Sequence, residues 1–123
     1  MTKKMKFALF GNVYQEHSCT SVQKFFNIAR IKEADIAAIN QETIFVDSVS
    51  ALSGYPAFGT PPEVGESVVK AGFNLVTHAT NHTYDKGADA VFHTIDFWKK
   101  HKDVTVIGIN ENSVVSVCDI EAE

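Results

Sequence analysis

The stretch His78-Ala79-Thr80-Asn81-His82-Thr83-Tyr84-Asp85-Lys86-Gly87 separates an apolar run, Phe73-Asn74-Leu75-Val76, from a helical pattern that begins near Ala88. The run has the character of a buried strand, so the stretch is a strand-to-helix connection. Two imidazoles, a carboxamide and a carboxylate thereby fall at the carboxyl end of a strand. In open parallel α/β sheets, strand ends and helix amino termini converge there on a ligand crevice. Asn, Asp, Thr and Gly are also ordinary turn and cap residues. On this stretch alone, Asn81 and Asp85 suit a plain loop and helix start equally well.

Two more apolar runs upstream end in a similar way. Phe7-Ala8-Leu9-Phe10 predicts a first buried strand closed by Gly11-Asn12, and Asp35-Ile36-Ala37-Ala38-Ile39 a second that ends in Asn40-Gln41-Glu42-Thr43. Between them Val22, Phe25, Phe26 and Ala29 repeat at helical spacing through about Ile31, after Ser18 or Thr20 as cap. The segment 45–59, with its Ser53-Gly54-Tyr55-Pro56 turn, has no clear period and predicts a long loop. Thr60-Pro61-Pro62-Glu63 predicts a helix start capped by Thr60; Val64, Val68 and Ala71 form its inward face and Gly72 its end.

Beyond the central stretch, Ala88, Val91, Phe92, Ile95 and Trp98 recur at helical steps, which leaves His93 and His101 facing solvent. Val104-Thr105-Val106-Ile107-Gly108-Ile109 predicts a fourth strand and the run 114–118 a fifth. Strands and helices alternate and the strands are apolar throughout. The pattern predicts one α/β domain with a mainly parallel sheet flanked by helices.

A length of 123 residues suits one domain with a real core, and 45% hydrophobic with 21% charged residues suits a globular protein. A formal charge of -4, with no Lys/Arg stripe, argues against a nucleic-acid partner. Lys99-Lys100-His101-Lys102 falls at a helix carboxyl end, where cations are favoured. Cys19 and Cys118 are too few and too far apart for a zinc knuckle or redox motif, and free thiols are expected. The basic amino terminus is followed by too short an apolar run for a signal peptide or a membrane segment. As written the chain predicts a cytoplasmic protein, or a cell-envelope one from which an export segment was removed. A nucleotide-binding domain is disfavoured because Gly11-Asn12-Val13-Tyr14 lacks a glycine-rich phosphate loop.

If the first three strands are parallel neighbours, Asn12, Glu42, Asn81 and His82 share one edge of the sheet. Mixed oxygen and imidazole donors suit a divalent metal such as manganese, iron, zinc or magnesium, which would activate water toward a phosphoryl or related ester. Each also has a plainer reading. Asn12 after Gly11 suits a turn, Glu42 an exposed loop carboxylate, His78 a core position alternating with Val76, and Asp85 a helix cap that orients the loop. His82 is the strongest candidate, as catalytic residue and ligand.

Asn40-Gln41-Glu42-Thr43, Gly54-Tyr55-Pro56-Ala57-Phe58 with Pro61-Pro62, Ala71-Gly72-Phe73 and Asn81-His82-Thr83-Tyr84-Asp85-Lys86-Gly87 resemble the bacterial capsule synthesis proteins of the CapA or poly-gamma-glutamate type. That family belongs to the calcineurin-like metallophosphatase superfamily, and the resemblance runs from about Lys6 to Asn110. It implies a layered α/β fold with a two-metal site, and a role in making or anchoring a capsule polymer. Three departures qualify it. Asn12 stands where family members usually carry an Asp ligand, Thr80 where a second Asn is usual, and the sequence stops before the half that supplies further His ligands. The expectation is therefore an amino-terminal half-domain with an incomplete metal site and weak or no hydrolysis alone. The competing expectation is a non-enzymatic module completed by a second copy or a partner that covers its open apolar face.

Overall fold

A computed structural model describes residues 4–13 and 28–111 of the chain. Its elements are β1 (Phe7–Val13), α1 (Ile28–Glu33), β2 (Ile36–Gln41), a 3-10 turn (Val49–Ala51), α2 (Glu63–Ala71), β3 (Leu75–Thr77), α3 (Gly87–Lys99) and β4 (Thr105–Ile107). The four strands form one sheet in the order β1-β2-β3-β4, parallel at every pairing, as the alternation of apolar strands and amphipathic helices predicts. Val22, Phe25, Phe26, both cysteines and the run 114–118 lie outside the described residues.

Sequential strand order has a geometric consequence. Right-handed crossovers between neighbouring parallel strands place their helices on the same face. Ala37, Ile39 and Val76 accordingly point into a core with Ile31 of α1, Val64, Val68 and Ala71 of α2, and Val91, Ile95, Phe97 and Trp98 of α3. Burying each large side chain of this set stabilises the fold by about 1.5–3 kcal/mol. On the opposite face the register aligns Leu9, Ala38, Leu75 and Thr105 in one row. Leu9 is 85% exposed there, Phe7 69% and Ile107 50%.

The structure corrects several local expectations. β1 does not close at Gly11-Asn12 but continues to Val13. Phe10 pairs with Ile39 and Asn12 with Asn40, so Gly11 is an extra residue that bulges β1. Thr60 does not cap α2: the capping position is Pro62, and the Thr60 hydroxyl instead donates to Thr43 Oγ1 at 2.6 Å. Gly72 ends α2 as expected, at φ +103°.

The buried face of α3 is rotated from the expected stripe. Phe92 is 43% exposed, and Phe97 is buried in its place. Gly65 in α2 is the reason, because a Cβ there would lie 2.5 Å from the Phe97 ring. Neither His93 nor His101 simply faces solvent. His101 packs on Phe97 with ring centroids 4.9 Å apart and places Nε2 3.2 Å from Glu66 Oε1; His93 is half-buried, its Nε2 without a partner among the described residues.

The segment 45–59 is a loop, as expected, but a tied one. Phe45 bridges to Thr60, and Ser53 and Gly59 exchange backbone hydrogen bonds at 3.1 and 3.0 Å. Phe45 and Phe58 anchor it, both fully buried.

Candidate functional site

Polar residues collect where β1, β2 and β3 end. The bulge at Gly11 sets the backbone of Asn12 beside that of Asn40; the Asn12 side chain lies outside what the structure describes. Asn40 shares the open face with Thr77, whose hydroxyl donates to Asn40 Oδ1 at 2.7 Å. Asn40 Nδ2 in turn donates to Glu42 Oε2 at 2.8 Å. The amide thus orients the carboxylate from below while taking no charge of its own.

Thr80 joins this row to the central loop. Its hydroxyl donates to the Glu42 carbonyl at 2.7 Å and accepts the His82 amide at 3.1 Å. Glu42 and His82, forty residues apart in sequence, are thereby fixed on one rim. The Thr83 hydroxyl donates to the His78 carbonyl and tightens the turn between the two histidines.

His82 Nδ1 lies 2.7 Å from Asp85 Oδ2, with both side chains largely buried at 17% and 15% exposure. An ionised carboxylate only accepts, so Nδ1 carries the proton and Nε2 presents its lone pair. Asn81 Nδ2 lies 3.4 Å from that Nε2, in position to donate to it. Phe58 packs edge-on to the imidazole at a centroid distance of 4.7 Å. Asp85 does not cap α3, contrary to expectation. Lys86 occupies that position, and Asp85 Oδ2 instead accepts the Phe58 amide at 2.7 Å as well as meeting His82.

His78 has the core role its alternation with Val76 suggested. It is fully buried, accepts a hydrogen bond from Trp98 Nε1 at 2.8 Å through Nε2, and burial pushes its pKa down to about 3. It is a neutral structural imidazole under the loop.

Asn81, His82 and Glu42 therefore share the carboxyl rim of the sheet, and the Asn12 backbone reaches the same rim. Asn40, Thr77 and Thr80 organise the rim although the sequence does not mark them as site residues; the signal at Thr80 is its departure from the family pattern. Among the described residues no group of three or more His, Cys, Asp or Glu side chains is placed to hold a metal ion. The rim donors are one imidazole and one carboxylate with carboxamides, a set that suits weak cation binding. No helix of the described residues is long and apolar enough to cross a membrane.

A parallel four-stranded sheet with helices on one face and this rim is an α/β fold consistent with half of a metallophosphatase-like domain. The model of the bacterial capsule synthesis protein family, PGA_cap, matches residues 8–115, and the chain belongs to that family. No curated protein sequence matches the chain.

Proposed function

We propose that this chain is a metallophosphatase-like module of capsule biosynthesis whose rim of Asn12, Glu42, Asn81 and His82 holds a divalent cation weakly and acts feebly on phosphoesters. The observation that carries this reading is the Asp85-buttressed His82, which keeps its Nε2 lone pair toward the rim beside Asn81. A bound divalent ion would supply polarisation of a phosphoryl oxygen and activation of water. His82 Nε2 is the rim atom suited to coordinate the ion, and Asp85 holds the ring by its Nδ1–H so that this lone pair faces the rim. Asn40 keeps Glu42 aimed along the rim. An amide at position 12 in place of a carboxylate removes a charge from the donor set, so both affinity and turnover are low.

Manganese titration by calorimetry, paired with hydrolysis of bis(p-nitrophenyl) phosphate, tests the reading. The expected dissociation constant is weak, on the order of 10⁻⁴ M, with turnover barely above background and both lost in His82→Ala. Micromolar binding with clear turnover would refute the weak site, and unchanged binding in His82→Ala would refute the site itself.

A further inference from the structure

One carboxylate oxygen at this site has two partners, one three residues before it and one 27 residues before it. Asp85 Oδ2 receives both the His82 imidazole and the backbone amide of Phe58, each at 2.7 Å. Phe58 belongs to the ring of chain closed by the Ser53–Gly59 backbone pair. Gly59, at the base of that ring, has no room for a side chain, because an added Cβ would meet Ala51 O at 2.2 Å and Lys86 Cε at 2.9 Å. The ring is therefore seated against the residue that follows Asp85. Its outer end carries Tyr55, 80% exposed, with its ring 6.5 Å from Phe58, which itself touches His82.

We propose that Asp85 positions His82 and the Ser53–Gly59 loop together through a single oxygen, making that loop the wall of the His82 site, with Tyr55 as the residue that contacts a ring-bearing leaving group. This rests on the phosphoester reading above for the wall, whereas the shared anchor stands on the ligand-free protein. Asp85 and Phe58 are positioning residues in this arrangement. Tyr55 sets specificity, since an exposed aromatic face next to Phe58, whose ring packs on the imidazole, favours esters whose leaving group presents a flat or apolar side.

Nuclear magnetic resonance on the full chain separates the two parts. In the unmodified protein, a scalar coupling across the hydrogen bond from the Phe58 amide to the Asp85 carboxylate carbon is expected, together with an Nδ1-protonated His82. Absence of that coupling overturns the anchor. In Asp85→Ala, hydrogen exchange at the Phe58 amide should accelerate about tenfold or more, as expected for loss of a well-formed hydrogen bond, while the His82 ring nitrogens shift toward the other tautomer. If either signal stays as in the unmodified protein, the two groups are not coupled.

For the wall, 10 mM bis(p-nitrophenyl) phosphate with manganese should perturb the Tyr55 ring resonances, and no perturbation overturns it. Where turnover is measurable, Tyr55→Ala should raise KM about fivefold with kcat within about twofold, the value of one stacking contact. Absence of turnover in the unmodified protein counts against the hydrolase reading but leaves the coupling and ring-shift results decisive for this one.

Discussion

At His78 the imidazole is enclosed and neutral, while four residues on, at His82, a carboxylate holds the ring with its lone pair outward. Burial lowers the His78 pKa from 6.5 to about 3, so the unfolded chain binds this proton more readily than the folded one. His78 thus leaves stability intact above pH 6.5 and erodes it as pH falls toward about 3, by roughly 1 kcal/mol per pH unit. Urea unfolding at pH 7 and pH 5 should show this slope, reduced in His78→Gln, which is less stable at neutral pH but gains no proton; an equal slope in both proteins would contradict it. His82 was visible as a candidate from its place after Asn81 in a loop following a strand. Thr80 was not: a threonine in a loop carries no mark of a carbonyl partner 38 residues away.

At the scale of elements, a glycine within α2 and one just past its end mark what periodicity shows and what it cannot. Gly72 was legible, because a glycine after an amphipathic run predicts the left-handed end it adopts at φ +103°. Gly72→Ala should cost about 1 kcal/mol from that backbone strain, read from the urea midpoint. Gly65 gave no such signal. It admits the Phe97 ring between α2 and α3, where an added Cβ would lie 2.5 Å from Phe97 and 2.8 Å from Phe45. Gly65→Ala should therefore cost more than Gly72→Ala, about 1–3 kcal/mol from overpacking, and a smaller loss would show that the helices separate freely. The same contact explains why the expected α3 stripe was rotated. Spacing locates an apolar arc, but its centre depends on the partner surface.

For the whole molecule, simple strand order leaves helices on one face of the sheet and the polar rim at the carboxyl end of the other. The weak manganese binding proposed for the rim would couple metal binding to stability. At tenfold excess over the dissociation constant, stabilisation is about 1.4 kcal/mol, a rise of a few degrees in melting temperature. Thermal unfolding with 1 mM manganese should show this rise, and His82→Ala should abolish it; an equal rise in the variant would place the ion elsewhere. Sequence alone determined the alternation of strands and helices, the parallel sheet and the family, because these follow from local periodicity and from motifs contiguous in the chain. Only the tertiary structure decided that Gly11 bulges β1 to bring Asn12 level with Asn40, that Thr80 ties Glu42 to His82, and that Asp85 leaves α3 uncapped to hold an imidazole and a loop. Each of these is a choice of partner for a polar group, and a polar side chain with several satisfactory partners is committed to one only when folding has brought the distant segment within hydrogen-bond reach.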